Sequence, residues 1–147
     1  MLPRTYEGQD CSLARSLEVI GERWNLLIVR SALLGVGRYD EFLRQMPISR
    51  NVLADRLGRL VELGVMRRVV YQEKPVRHEY PLTPMGRELT VAVVALMQWG
   101  DRNLPAELGP PRQARHVGCD GDVRVRLGCS SCGRDIHEEE VAVRRAR

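Results

Sequence analysis

The residues of this sequence best suited to chemistry are its cysteines and histidines, most of which lie towards the carboxyl terminus. His116 and Cys119 form a His-x-x-Cys pair, and Cys129 and Cys132 form a Cys-x-x-Cys pair further along. Two short chelating pairs that offer three thiolates and one imidazole are typical of tetrahedral structural zinc sites. The spacing therefore predicts that these four side chains hold a zinc ion.

The same part of the chain allows two other arrangements. A redox disulfide could join Cys129 to Cys132, and His137 could replace His116 as the fourth zinc ligand. A tail over residues 116–147 is too short to hold a hydrophobic core without a metal or a cross-link. We therefore expect a zinc-ribbon-like appendage in this tail.

Residues 48–82 predict a helix followed by a hairpin. Ser49 can accept a hydrogen bond from the first free amides of a helix over residues 49–63, and Gly64 can end it with a left-handed backbone. Helical spacing gives an inner face of Leu53, Leu57, Leu60 and Val61, and an outer face of Asn51, Val52, Asp55, Gly58 and Arg59. A helix with one side in a core and the other side free is what insertion into a DNA groove needs. We call it the reading helix.

Alternating apolar and polar residues over 76–82 predict a half-buried strand, and residues 66–71 form its β-branched partner. The tip of this hairpin, which we call the wing, is expected at residues 72–75. Residues 37 and 38 would add a short third strand, and residues 39–46 a short helix before the reading helix. Together these elements describe a winged helix-turn-helix, mainly α-helical with a small β-wing.

The flanking segments predict three further helices. Ser12 can cap one that runs to residue 20, a second covers about residues 22–34, and a third runs from residue 84 to about 104. The third is apolar almost all round over residues 91–97, so one chain cannot easily cover it unless the first helix hides the whole surface. We expect a homodimer through this helix, which a mass measurement in solution would test. The two reading helices of the dimer would then lie about one duplex turn apart.

The composition fits one globular domain with a small appendage. The chain has 147 residues, of which 44% are hydrophobic, enough for a real core. Neither a run of about 18 apolar residues nor a leader segment is found, so we expect a soluble, cytoplasmic protein without a membrane partner. Its 23 basic residues exceed its 19 acidic ones, a mild excess that permits a nucleic-acid partner without proving one.

We expect three regions along the chain. A winged helix-turn-helix and dimerisation domain covers residues 11–104, a proline-containing linker covers residues 105–115, and the tail covers residues 116–147. Within the tail, small strands are expected at residues 123–127 and 140–143.

A set of short segments, read in order, carries a resemblance to a known family. They are Cys11, Gly21-Glu22-Arg23-Trp24, Arg38-Tyr39-Asp40-Glu41-Phe42-Leu43, Ile48-Ser49, Arg56-Leu57, Leu63-Gly64-Val65, Arg77-His78-Glu79-Tyr80, Leu82-Thr83-Pro84 and Trp99-Gly100. Together they resemble the HxlR-type transcriptional regulators, relatives of the MarR-type winged-helix proteins, over about residues 11–104. The resemblance implies a dimeric regulator that binds double-stranded DNA.

The residues expected to contact DNA lie at the start and on the outer face of the reading helix. Ser49, Arg50 and Asn51 open the helix, where backbone amides and the positive helix end favour a phosphate. The side chains best placed for base edges are Asn51, Val52, Asp55 and Arg59. An asparagine can pair with adenine, an arginine with guanine, and a valine can touch a thymine methyl group.

Two further expectations concern charge. Asp55 lies four residues before Arg59, so we expect it to orient that guanidinium more than to read a base, and Arg56 to join a structural ion pair at the edge of the core. In the wing, Lys74 and Arg77 should meet phosphate or the minor groove.

Cys11 raises a second chemical question. The resemblance implies thiol-based sensing of electrophiles or oxidants at this N-terminal cysteine. The dipole of the first helix and nearby Arg15 would favour its thiolate. The alternative is a small buried residue at the dimer contact.

The function expected is therefore a sequence-specific transcriptional regulator that acts as a homodimer on a palindromic operator. The alternatives are a zinc- or redox-controlled regulator that senses through its C-terminal cysteines, and a winged helix that binds proteins without DNA. An enzyme is not expected, because the sequence lacks a phosphate-cradling glycine loop, a nucleophile elbow and a metal-binding histidine helix motif. No residue cluster nominates a particular small-molecule effector.

Overall fold

The structure is a computed structural model that describes residues 5–146, so residue 147 of the predicted tail lies outside it. The elements are α1 (Ser12–Ile20), α2 (Asn25–Leu33), α3 (Tyr39–Gln45), α4 (Arg50–Glu62), β1 (Val69–Glu73), β2 (Val76–Glu79), α5 (Pro84–Glu88), α6 (Thr90–Asn103), β3 (Leu127–Gly128) and β4 (Asp135–Ile136). None of the helices within residues 5–146 has the length and apolar character that a bilayer span requires.

The chain forms two compact units, Met1–Val93 and Val94–Arg147. Helix α6 therefore begins in the first unit and ends in the second. The boundary between the units differs from the domain limits expected from the sequence. The expected regions, which stay a prediction, are residues 11–104, 105–115 and 116–147.

The first two helices differ from their expected limits. Cys11 occupies the N-cap position of α1, and Ser12 is its first helical residue, where the Oγ atom accepts a hydrogen bond from Arg15 at 3.0 Å. Helix α2 begins at Asn25, three residues later than predicted, because Glu22 to Trp24 form a turn. Asn25 is buried, and its side-chain amide donates a hydrogen bond to the Val19 carbonyl at 2.7 Å.

The reading helix, α4, has the ends that the sequence predicts. The Ser49 hydroxyl accepts a hydrogen bond from the Val52 amide at 3.3 Å, and Gly64 takes a φ of +78° just after the helix. Its apolar face and the neighbouring elements supply the core of the first unit, whose fully buried apolar side chains are Ile28, Val29, Phe42, Leu53, Leu57, Leu60, Val65 and Met66. Burial of this face leaves the opposite side of α4 free.

The wing is a two-stranded antiparallel hairpin in which Val69 pairs with Glu79 and Glu73 with Val76. The expected tip was too long, because Gln72 and Glu73 belong to β1 and only Lys74 and Pro75 turn the chain. The expected third strand is present as a single bridge between Arg38 and Glu79.

The long helix predicted after the wing is divided into α5 and α6. Thr83 caps α5 by accepting a hydrogen bond from the Gly86 amide at 3.0 Å. The break falls at Leu89, where the Thr90 hydroxyl donates to the Arg87 carbonyl at 2.6 Å. A threonine that bonds to the preceding turn competes with continuation of the helix.

The tail carries two very short paired strands, of which the first overlaps the predicted strand over residues 123–127 only at Leu127 and the second was not predicted. Leu127 pairs with Ile136 and Gly128 with Asp135. A tight turn between them places the Gly133 amide 2.8 Å from the Cys129 carbonyl. The strand predicted over residues 140–143 is not formed, because Glu140 ends a 3₁₀ turn over Glu138–Glu140 and residues 141–143 have no regular secondary structure.

Candidate nucleic-acid interface

The outer face of α4 is open to solvent. The side chains expected to reach DNA from this helix are all exposed: Ser49, Arg50, Asn51, Val52, Asp55 and Arg59. Leu53 and Leu57, on the opposite side, are buried. The fold thus presents a rigid row of polar side chains on a helix anchored by its other face.

A salt-bridge arrangement along α4 corrects one expectation. Asp55 forms an ion pair with Arg56 at 3.5 Å, whereas Arg59 pairs with Glu62 at 3.4 Å. Asp55 therefore does not orient Arg59. The predicted structural role of Arg56 is confirmed, because its guanidinium also forms an ion pair with Glu22.

Two contacts from α3 position the start of α4. The Tyr39 hydroxyl donates a 2.6 Å hydrogen bond to the Arg50 carbonyl, and the Arg50 side chain lies 3.9 Å from the Asp40 carboxylate. Sequence reasoning missed the role of Tyr39, since nothing in local spacing indicates a contact with a residue in the next helix. This hydrogen bond fixes the first turn of α4, where the phosphate contact is expected.

The wing carries two cationic side chains that could contact DNA. Lys74 lies in the hairpin turn and Arg77 in β2, and both are exposed. The guanidinium of Arg38 lies 4.4 Å from the centre of the Tyr71 ring, a distance typical of a cation–π contact. Tyr71 is the extra residue where the register of β1 shifts. Arg38 thereby joins the entrance of α3 to the wing.

Glu41 organises the loop that enters α3. Its Oε2 atom accepts hydrogen bonds from the backbone amides of Arg38 at 2.9 Å and Gly37 at 3.1 Å. These two bonds, that of Arg38 first, lower the pKa of Glu41 below its ordinary value because they favour the ionised carboxylate. The charged form therefore holds the loop that carries Arg38.

The segment that follows the wing is hydrogen-bonded to the end of the reading helix. The Thr83 hydroxyl, which caps α5, lies 2.6 Å from the Gly64 carbonyl. The Thr83 amide also donates to the Val65 carbonyl at 3.1 Å. Gly86 is required nearby, because a Cβ atom there would lie 2.1 Å from the Val65 carbonyl oxygen. These contacts couple the position of the wing to that of α4.

Cys11 is exposed at the N-cap position of α1. Arg15, expected to favour its thiolate, instead forms an ion pair with Asp10 at 3.5 Å and donates to Ser12. Whether the thiol senses oxidants stays a prediction.

The cysteines and histidines of the tail are arranged as two pairs. His116 Nδ1 lies 3.1 Å from Cys119 Sγ. Cys129 and Cys132 lie together in the turn between β3 and β4, where amides of Cys132 and Ser131 and the Cys132 thiol lower the pKa of Cys129. Within residues 5–146, however, no group of three or more His, Cys, Asp or Glu side chains is placed to hold a metal ion. The donor types suit zinc, but the pairs are not gathered into one four-ligand group, and the zinc site stays a prediction.

A helix-turn-helix whose second helix is capped and has a free polar face, followed by a β-hairpin, defines the winged helix-turn-helix class of DNA-binding domains. The chain belongs to the HxlR-like helix-turn-helix family, whose profile matches residues 19–108.

Relatives and solved structures agree with this assignment. The HTH-type transcriptional regulator MT3179 of Mycobacterium tuberculosis is 47% identical over 140 residues, covering 95% of this chain and 87% of the relative. The crystal structure of PA1607, described as a proposed transcription factor, superposes with a TM-score of 0.82 at 35% identity, covering 95% of this chain and 97% of that one. The redox regulator HypR in its reduced form gives 0.61 at 33% identity, covering 64% and 94%. The chain is thus a transcriptional regulator with a helix-turn-helix DNA-binding domain.

Proposed function

We propose that this regulator binds a palindromic operator as a homodimer, with α4 of each subunit in the major groove of one half-site. The observation that carries this proposal is the exposed polar face of α4, which belongs to the same unit as the wing and its exposed Lys74 and Arg77. Asn51, Val52 and Arg59 on that face have the chemistry to read base edges, and Asp55 can accept from a cytosine amino group. Helix insertion of this kind is the docking mode of the class.

The contacts to the DNA backbone come from either side of that face. Ser49, Arg50 and Asn51 hold a phosphate at the start of α4 through backbone amides and the positive helix end. Lys74 and Arg77 meet phosphate or the minor groove from the wing. Phosphate contacts set the register of the protein on the duplex, while the face of α4 supplies the preference for sequence.

The homodimer is supported by apolar side chains that lie open to solvent on α6. Leu96 and Trp99 are 53% and 52% exposed, and Val91 is also exposed. Helix α1 likewise exposes Leu13. Apolar surface of this kind on a helix is best covered by a second copy of the same chain.

Footprinting of the DNA upstream of the protein's own gene tests the proposal. We expect two protected half-sites, centred about 10 base pairs or a multiple of this apart, and protection that weakens steeply as salt rises. Failure to protect or retard any duplex at low salt would instead favour the winged helix as a protein-binding module.

A second proposal is that oxidation of Cys11 releases the operator. It is supported by the exposure of the thiol and by the likeness to HypR, a protein named as a redox regulator. Footprints with and without hydrogen peroxide test it, using Cys11→Ser, because peroxide oxidises a single thiolate to a sulfenic acid and is itself reduced to water. We expect the variant to keep its footprint when the oxidant is added, and a footprint lost equally in both proteins would contradict the role of Cys11.

The tail is proposed to hold structural zinc through His116, Cys119, Cys129 and Cys132 once the two pairs approach each other. The donor set of three thiolates and one imidazole supports it. Metal analysis of protein purified without chelator should find about one equivalent of zinc. Less than half an equivalent, together with a disulfide between Cys129 and Cys132, would favour redox control through the tail instead.

A further inference from the structure

A cleft of about 460 Å³ lies within the second compact unit, on the side of α6 that faces the following tail. Its volume is within the range of small-molecule sites. The apolar part of its lining, which we call the floor, includes Val94, Met97, Val123 and Val125. A site with this volume and floor can bury the body of a small organic molecule.

One side chain builds the wall of this cleft. The Gln98 amide nitrogen donates a 2.7 Å hydrogen bond to the Val123 carbonyl, and the Val125 amide donates a 3.1 Å hydrogen bond to the Gln98 Oε1 atom. Both polar ends of Gln98 are therefore satisfied by one tail segment. These two hydrogen bonds hold residues 123–125 against α6, so the cleft is formed without a ligand.

Arginine is the most frequent polar residue in the lining. Arg102, Arg112 and Arg124 all line the cleft, and within residues 5–146 none of their side chains has an ion pair or hydrogen bond. Of the two lining acids, Asp122 is already paired with Arg115 at 3.1 Å, which leaves only Asp101 to oppose the three guanidiniums. The cleft therefore has an excess of unmatched positive charge above an apolar floor.

We propose that this cleft binds an amphipathic organic anion, with a flat or branched apolar body on the valines and Met97 and a carboxylate or phosphate group on the arginines. Guanidinium groups bind such oxyanions through paired hydrogen bonds. A bare inorganic anion would leave the floor unused, and a neutral apolar compound would leave the arginines unmatched. The binding site stands independently of operator recognition, and only its use as an effector site would rest on the proposed function.

Calorimetric titration of the full chain with two probes tests the charge preference. The probes are 2-naphthoate and 2-naphthamide, which share a ring system and differ in charge. We expect naphthoate to bind at least about tenfold more tightly, since a hydrogen bond to a charged group is worth more than a neutral one. This advantage should shrink as salt rises. Equal affinities, or no binding of naphthoate at millimolar concentration, would overturn the proposal.

Variants of the lining arginines test whether naphthoate binds in this cleft. The double variant Arg112→Gln with Arg124→Gln should lower naphthoate affinity about tenfold, to the level of naphthamide, and leave naphthamide unchanged. The matched control is Arg144→Gln, an exposed arginine outside the lining, which should bind as the parent does. Unchanged naphthoate affinity in the double variant would overturn the site.

A DNA-binding measurement on the same variants tests the remaining alternative, which is that Arg112 and Arg124 contact the DNA backbone. If the double variant weakens retardation of a duplex while naphthoate binding is unaffected, the arginines serve the DNA backbone and the proposal fails. If duplex binding is lost in the parent protein while the naphthoate preference holds, the cleft stands and operator recognition fails.

Discussion

Glu22 forms an ion pair with Arg56 and thereby ties the turn before α2 to the middle of the reading helix. Both side chains are partly shielded, with 33% of Glu22 and 20% of Arg56 exposed. A pair of this kind interacts more strongly than an exposed one, and removal of one partner leaves the other incompletely solvated. The orientation of α4 in the core therefore depends on a charge outside its own sequence.

Replacement of Arg56 by methionine should destabilise the fold by about 1–2 kcal/mol, between the values for exposed and buried pairs. The measurement is the urea unfolding midpoint at pH 7. Arg59→Met is the matched control, because its partner Glu62 is exposed and their pair should contribute less than about 0.5 kcal/mol. Equal midpoints for the two variants would contradict a structural role for Arg56.

Arg59→Ala should weaken operator binding by roughly 1–3 kcal/mol and relax the preference at one base pair. The reason is that Arg59 lies on the outer face of α4, where a guanidinium can contact a guanine edge. Fluorescence anisotropy with the operator and a set of single-base variants measures both effects. Arg87→Ala, an exposed arginine of α5, is the control and should retain the preference. A uniform loss across all sequences would mean that Arg59 contacts phosphate.

Lys74→Ala is expected to behave differently, because Lys74 lies in the turn of the wing and should meet phosphate. Binding to specific and unrelated duplexes should weaken alike. The slope of log K against log salt should become shallower by about 0.9, as for one released counterion. An unchanged slope would remove this contact.

Glu41→Gln tests the loop that enters α3. The pKa of Glu41 is lowered in the folded protein, so its contribution to stability is present above the unfolded value and is lost as pH falls through the folded value. We expect the variant to be less stable than the parent at pH 7 and nearly equal to it at pH 3. Urea midpoints at both pH values decide this, with Glu88→Gln in α5 as the control. A difference that persists undiminished at pH 3 would argue against the charged cap.

Helix ends that are set by neighbouring residues could be predicted from the sequence, whereas elements that depend on contacts with distant residues could not. The limits of α4 could be predicted because Ser49 and Gly64 act on the helix end beside them. The start of α2 could not, since it depends on the bond from Asn25 to a carbonyl of α1. The tail strands were misplaced because the turn around Cys129, and not apolar alternation, selects the residues that pair.

The candidate DNA-binding site likewise has features that could be predicted from the sequence and features that could not. The exposed face of α4 follows from helical spacing, so its residues could be named in advance. The contacts that position it could not, because Tyr39 and Glu22 reach it from other elements. Gln98 was also missed, since its two hydrogen bonds join α6 to a segment far along the chain.

The final prediction concerns the apolar face of α6. Leu96→Glu should convert a dimer into a monomer, because it places a charge in the middle of the surface that a second copy would cover. Light scattering at micromolar concentration should report half the parent mass. Since Leu96 is exposed within one chain, the helical circular dichroism should be unchanged.

Met85→Glu is the matched control for this experiment, because Met85 is an exposed apolar residue of a different helix, α5. We expect the control to keep the parent mass and the parent affinity for the operator. The Leu96 variant should lose operator affinity far more than affinity for a single half-site, because two linked reading helices bind more tightly than one. A parent protein that is already monomeric at this concentration would exclude the α6 dimer and the spacing of half-sites that follows from it.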